Sequence, residues 1–290
     1  MQILDGKIAS QSVKENLKKE IEKIIDKRPP HLAAILIGNN GASETYVASK
    51  IKNCEEIGFK STLIRFPADC SEIILIEEIE KLNNDETVDG ILVQLPLPDH
   101  FNENKIINLI APEKDVDGFS PVSMGNLTLG NPSFIPATPY GIMLMLEHYN
   151  IETKGKYAVV IGRSNIVGRP MSILLSQTGK YGDCTVTLCH SRTKNIKEIC
   201  LQADIIVAAI GKPGFVKADM VMPGAIVIDV GITRVLDSTK KSGFAIKGDV
   251  DFDSVAPISS YITPVPGGVG LMTIAALLKN TFNAYKNRTS

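Results

Sequence analysis

The chain has 290 residues, and its 31 Lys and Arg against 32 Asp and Glu leave a formal net charge of −1. With 44% hydrophobic and 22% charged residues it has the composition of an ordinary globular protein, long enough for two domains of about 150 residues each. The charge balance excludes a protein built chiefly to coat nucleic acid or an anionic membrane, because both need a surplus of positive charge. No apolar run reaches the roughly 18 residues of a membrane span. The opening MQILDGKIAS lacks the basic start and apolar stretch of a signal peptide. A cytoplasmic protein with neither a membrane nor a nucleic-acid partner is expected.

In chain order, an amphipathic pattern over residues 7–25 predicts a first helix. Residues 31–38 (HLAAILIG) read as a buried strand, and residues 43–58 as a helix with Ser43 as its N-cap. A second strand is predicted at 62–66, a second helix at 71–83 and a third strand at 88–95. This alternation points to a parallel sheet with crossover helices. Over residues 120–139 the texture turns to Pro, Gly, Ser and Asn, which marks a domain boundary. Residues 140–149 then read as an apolar helix bridging two lobes. A second series follows, with strands at 157–161, 185–189, 205–210 and 225–230 and helices from Gly168 and over 196–201. Residues 271–285 predict a long closing helix. The expected fold is α/β in two lobes, the second Rossmann-like on a mostly parallel sheet.

Five scattered cysteines without a C-x-x-C pair predict free thiols. The four histidines have no ligand spacing, so no metal site is expected. The strongest chemical signal is Gly162-Arg-Ser-Asn-Ile-Val-Gly168, placed between a predicted strand and a helix. A dinucleotide site needs a tight turn there, so that backbone amides reach a phosphate. Ser164 stands in place of the usual second glycine, and alone the turn reads equally as a plain strand-to-helix connection. At the end of the next strand an NAD-binding protein carries an acid for the ribose 2′-hydroxyl. Here the chain has His190-Ser191-Arg192-Thr193 instead. A carboxylate would repel a 2′-phosphate, whereas a hydroxyl and a guanidinium bind one. Gly162, Arg163, Ser164, Ser191 and Arg192 are therefore candidate NADP contacts, with a solvated polar loop as the plainer alternative.

In the first lobe Tyr46 and Lys50 share one helix face. Gln94 closes the third strand in VQLPLP, at the end where parallel sheets gather ligands, and Asp115 and Asp117 follow in KDVDG. Singly, each has a plainer reading: a core tyrosine, a solvated lysine, a turn aspartate. The segment Pro264-Val-Pro-Gly-Gly-Val-Gly270 lacks the Gly-Lys-Ser/Thr of a phosphate loop. It fits a close backbone approach to a ligand or a tight turn about equally.

Together, TYVASKIKNCEEIGF, VQLPLP, PEKDVDGFSPVSMGNL, VVIGRSNIVGRPM, CHSRT and ITPVPGGVGLMT resemble, in order and spacing, the bifunctional methylenetetrahydrofolate dehydrogenase/methenyltetrahydrofolate cyclohydrolase family. The resemblance runs from Leu4 to the final helix. It implies NADP-dependent oxidation of 5,10-methylenetetrahydrofolate to 5,10-methenyltetrahydrofolate, hydrolysis of that product to 10-formyltetrahydrofolate, a homodimer, and an active site in the cleft between lobes. It also implies Lys50 as catalytic lysine, Gln94 as its support, Tyr46 as the folate-stacking ring and Asp117 as the pterin-binding carboxylate in the catalytic set. Folate contacts fall on Pro266, Gly267 and Gly268, and cofactor contacts on Arg163, Ser164, Ser191 and Ile232. In this family the last helix returns to the first lobe. The implied domains are thus 1–138 plus 266–290, a three-layer α/β catalytic domain, and 139–265, an NADP-binding domain. Ala137 stands in PATP where many relatives have Cys; nothing in the chemistry requires a thiol there. An NADP-dependent dehydrogenase of another small substrate is the alternative.

Overall fold

The computed structural model describes residues 1–24, 28–240 and 243–289, the side chain of residue 42 excepted. In chain order its elements are β1 (Gln2–Ile3), α1 (Gly6–Ile21), β2 (His31–Ile37), α2 (Gly41–Glu56), β3 (Lys60–Phe66), α3 (Glu72–Asn84) and β4 (Gly90–Val93). Next come α4 (Glu103–Asn108), α5 (Pro121–Leu129), α6 (Ala137–His148), β5 (Tyr157–Ile161), α7 (Gly168–Ser176), β6 (Thr185–Cys189) and α8 (Ile196–Cys200). The chain closes with β7 (Ile205–Ala208), β8 (Ile226–Asp229), β9 (Thr233–Leu236), β10 (Phe244–Lys247), α9 (Phe252–Val255), β11 (Tyr261–Ile262) and α10 (Val269–Thr289). The end of the predicted first helix at Ile25 lies outside the described residues.

The chain divides into two compact units, Met1–Gln11 with Thr138–Thr273, and Ser12–Ala137 with Ile274–Ser290. The first unit carries a six-stranded sheet of order β1-β11-β8-β7-β5-β6, parallel at every pairing. Its middle strands are buried runs, YAVVI, IIVA and IVID, as expected where both faces of a parallel sheet are covered. The core packs Val159, Ile161, Ile206, Val227 and Ile262 together. Strand order reverses at β5, since β6 lies on one side of it and β7 on the other. That reversal opens a crevice at the strands' carboxyl ends. An antiparallel ribbon, β9–β10, belongs to the same unit.

The second unit has a three-stranded parallel sheet of order β3-β2-β4, with β2 buried along its whole length. Leu75, Ile79 and Leu82 of α3 pack on Ala33, Ile35 and Ile91, at the i, i+4, i+7 spacing of one helix face. Order reverses here at β2, so both units have a strand-order reversal of the kind at which α/β sheets place ligands.

The structure departs from the sequence reading in particular places. Contacts group residues 1–11 and 266–273 with the six-stranded sheet, residues 2 and 3 by strand pairing of Gln2 and Ile3 with Tyr261 and Ile262. Helix α2 starts at Gly41, and Asn40 rather than Ser43 caps it: Asn40 Oδ1 accepts the Ser43 N–H at 3.3 Å. The Pro-rich stretch at 120–139 is not a linker throughout. It contains α5, with Ser120 as N-cap accepting the Ser123 N–H, Pro121 in the first turn and Gly130 in the left-handed conformation at the C-terminus.

Candidate active site

In the three-stranded unit Lys50 lies on the third turn of α2 and is 5% exposed. Its Nζ donates to Gln94 Oε1 at 3.2 Å and sits 5.2 Å from the Tyr46 ring centroid. Gln94 directly follows β4, its backbone N–H bound to the Ile35 carbonyl of β2, so it stands at the strand-order reversal. Its amide orientation is fixed: the Leu95 carbonyl can only accept, and takes the Gln94 Nε2 hydrogen at 2.6 Å, which turns Oε1 toward Lys50. Burial pushes the Lys50 ammonium below its ordinary pKa, while Asp117 opposes that shift. Surrounding protein raises the Asp117 carboxyl to about 6, against the pull of Lys50. The two groups thus share one electrostatic environment. A buried amine with a lowered pKa, held by a neutral amide, accepts and releases a proton more readily than a solvated lysine.

The loop that carries Asp117 is held by two buried charges. Lys114, 1% exposed, donates to the carbonyls of Leu82, Asn83 and Asp85, each at 2.7 Å, and so closes the C-terminal end of α3. Burial brings its pKa down to about 8. Asp115 accepts from Phe119 N, Ser120 N and Ser123 Oγ, the last at 2.7 Å. Neither role was readable from KDVDG, which fits any turn; the Ser-Pro pair at 120–121 was the one local signal of a helix start for Asp115 to brace.

In the six-stranded unit the turn from β5 to α7 is closed by contact. Gly162 has φ +121°, and a Cβ on it would meet the Ala209 carbonyl oxygen; a Cβ on Gly168 would meet the Gly162 carbonyl oxygen. Only glycine lets the helix start this near the strand end. Ser164 compensates for the missing second glycine, its Oγ accepting the Val167 and Gly168 N–H groups at 3.2 and 3.4 Å. Arg163, Ser164, Ser191 and Arg192 are exposed at the ends of β5 and β6, and Ile232 is 60% exposed just past β8. The loop at β6 is held by His190 N–H to Thr193 Oγ1 and by Arg192 N–H to His190 Nδ1, at 2.8 and 3.1 Å. Two exposed guanidiniums and a hydroxyl, without a carboxylate, at the ends of neighbouring strands fit the phosphates of NADP.

The structure therefore groups Tyr46, Lys50, Gln94 and Asp117 in one unit, and Gly162, Arg163, Ser164, Ser191, Arg192 and Ile232 in the other. Pro266, Gly267 and Gly268 fall with the latter, where the Gly267 carbonyl accepts the Gly6 N–H at 2.9 Å. Ala137 is buried at the start of α6, a packing position.

Comparison with known proteins matches both units. Residues 4–117 fit the catalytic-domain model of tetrahydrofolate dehydrogenase/cyclohydrolase, and residues 136–289 fit its NAD(P)-binding-domain model. A protein of Porphyromonas gingivalis named bifunctional protein FolD is 58% identical over 286 residues, covering 98% of this chain and 97% of that one. The chain belongs to the tetrahydrofolate dehydrogenase/cyclohydrolase family. Among solved members of that family, the bifunctional FolD methylenetetrahydrofolate dehydrogenase/cyclohydrolase of Campylobacter jejuni superposes with a TM-score of 0.93 at 49% identity, covering 99% of each chain. The Trypanosoma brucei enzyme, solved with NADP and an inhibitor, gives a TM-score of 0.92 at 39% identity over 98% of this chain and 96% of that one. Within this family member, Lys114 and Asn40 are supporting residues that the sequence reading did not single out, and Asp115, named there as a loop aspartate, braces the start of α5.

Proposed function

We propose that the chain oxidises 5,10-methylenetetrahydrofolate to 5,10-methenyltetrahydrofolate with NADP and hydrolyses the product to 10-formyltetrahydrofolate. The observation that carries this reading is Lys50, buried, hydrogen-bonded to a neutral amide and coupled to Asp117, in a chain 58% identical to a bifunctional FolD protein.

Bound NADP would supply the acceptor for the hydride of the methylene carbon. Arg163, Ser191 and Arg192 would hold its 2′-phosphate through charge-assisted hydrogen bonds, and Ser164 and Ile232 would line its path. Asp117 accepts hydrogen bonds from the N–H edge of the pterin, Tyr46 stacks on the folate, and the backbone at Pro266–Gly268 gives it a further contact. In the second step water bonds to the methenyl carbon and one of its protons passes to Lys50 Nζ. The C–N5 bond then opens as N5 gains a proton, the carbonyl of the formyl group forms, and one proton is released overall. Gln94 Oε1 holds Nζ in place whether it bears two hydrogens or three.

The same reading makes the protein a cytoplasmic homodimer. The family resemblance supports the dimer, and five free, buried cysteines suit a reducing compartment. Light scattering of the purified protein tests the assembly. The function is tested by supplying 5,10-methylenetetrahydrofolate and NADP and following reduced cofactor, methenyl and formyl products. NADP-dependent appearance of the formyl product is expected; no folate-dependent reduction of NADP overturns the proposal.

A further inference from the structure

Two carboxylates of the six-stranded unit have no part in the chemistry above. Asp229 ends β8 and is 4% exposed; Asp249, just past β10, is fully buried. Asp229 Oδ1 accepts the N–H groups of Gly231 and Asp249 at 2.9 and 2.8 Å, and its Oδ2 accepts that of Val250 at 2.9 Å. Asp249 Oδ2 accepts the N–H groups of Ile210 and Gly211 at 2.7 and 3.0 Å, while its Oδ1 is buried with no hydrogen-bond partner among the described residues. The Asp229 N–H is itself bound to Thr263 Oγ1 at 2.7 Å. The packing is closed, since a Cβ on Gly248 would strike the Asp229 carboxylate and one on Gly231 the Asp249 carboxylate.

Adjacent buried carboxylates are unfavourable, and backbone N–H groups offset only part of that penalty. Their placement shows what they hold. A cofactor with its 2′-phosphate at the end of β6 and its pyrophosphate at the β5–α7 turn extends its nicotinamide half toward β7 and β8. The two loops there are Ala209–Gly211, against which Gly162 packs, and Val230–Ile232. Asp249 fixes the first loop and Asp229 the second, and the Asp249 N–H to Asp229 Oδ1 bond ties the two together.

We propose that Asp229 and Asp249 are positioning residues that set the nicotinamide-side surface of the cofactor site by fixing the loops after β7 and β8. This rests on the reading of the unit as an NADP site. The amide variants separate the two carboxylates. Asp249 accepts through one oxygen only, so Asp249→Asn keeps both bonds and places its NH₂ where the unpaired oxygen lies. Asp229 accepts through both oxygens, so Asp229→Asn forces an NH₂ against a backbone N–H.

The test is NADP affinity by titration on folded wild type, Asp249→Asn, Asp249→Ala and Asp229→Asn, with KM for each substrate alongside. The expected result is an NADP Kd within about twofold of wild type for Asp249→Asn, and about tenfold weaker for Asp249→Ala, which loses two hydrogen bonds, and for Asp229→Asn, which opposes the Val250 N–H with a donor. Folate KM stays within about twofold throughout, a split that a loss of folded protein would not produce. Unchanged NADP Kd in folded Asp229→Asn and Asp249→Ala, with only a lowered unfolding midpoint, overturns the proposal. The two isosteric amide variants carry the comparison if Asp249→Ala does not fold. Wild-type protein that binds no NADP would overturn the cofactor reading itself, and is recognised before any variant is measured.

Discussion

At the scale of single residues, Lys50 and Asp117 are each poor choices for stability, and for the same reason. Burial disfavours the charged form of both, lowering the lysine and raising the aspartate to about 6. An unfolded aspartate ionises near 3.9, so between that value and about 6 the folded state binds the extra proton, and above both the ionised carboxylate weighs against folding. Asp117→Asn is therefore expected to stabilise the unliganded protein at neutral pH, by on the order of 1–3 kcal/mol, as read from denaturant midpoints. It should weaken folate at the same time, because Asn offers one acceptor and a clashing donor to the pterin edge. Both activities then fall together with NADP affinity unchanged. In the wild type the carboxylate form is lost as pH falls through about 6, so folate KM should rise on that limb while NADP KM stays flat. A folate KM that ignores pH between 5 and 7 would remove Asp117 from the pterin contact. Tyr46, Lys50 and Gln94 were legible in the sequence, since helical spacing and a strand end place them without knowledge of tertiary structure. Lys114 and the bracing role of Asp115 were not, because what makes them matter is burial against residues some 30 positions away or the start of a helix hidden in a Pro-rich stretch.

At the scale of elements, the β5–α7 turn shows why a departure from G-x-G-x-x-G is tolerated. The close contact of strand and helix is kept by Gly162 and Gly168, and Ser164 Oγ takes the N–H groups left at the helix start. Gly168→Ala would push its methyl into the Gly162 carbonyl. A loss of about 1–3 kcal/mol in unfolding free energy is expected, with NADP affinity falling more than folate affinity; equal losses of the two would place the damage elsewhere. The exposed Arg163, Ser191 and Arg192 give the matching functional expectation. One charged hydrogen bond to a 2′-phosphate contributes roughly 1.5–3 kcal/mol, about ten- to a hundredfold in kcat/KM for NADP over NAD. Equal values for the two cofactors would contradict it. Strands and helices with strong periodicity were readable to within a few residues. The β9–β10 ribbon escaped because Leu236, Phe244 and Ile246 are exposed, which breaks the link between apolar residues and core. The clamp of Asp229 and Asp249 escaped because Asp229 falls inside the strand predicted at 225–230 and Asp249, next to Gly248, reads as a turn residue.

At the scale of the whole molecule, pattern along the chain located both sheets but not which segments complete them. β1 has two residues and pairs with a strand some 260 positions later, and no local signal encodes such a partner. The resemblance implied the return of the last helix, and 274–290 do group with the three-stranded unit while 266–273 do not. The proposed mechanism has one chain run two successive folate reactions, the second of which leans on Lys50 more than the first. Hydride transfer needs alignment of two carbons, whereas water addition and ring opening need proton exchange, the role proposed for Lys50. Lys50→Met keeps the stem and removes a buried, disfavoured charge, so the variant should fold at least as well as wild type. The decisive measurement is the rate of each step in this variant with 5,10-methylenetetrahydrofolate and NADP. The account predicts that methenyl-folate accumulates, with cyclohydrolase activity down by roughly 10²–10⁴ and dehydrogenase activity reduced far less. Both rates within about twofold of wild type in folded protein, or an equal loss of both, would contradict it.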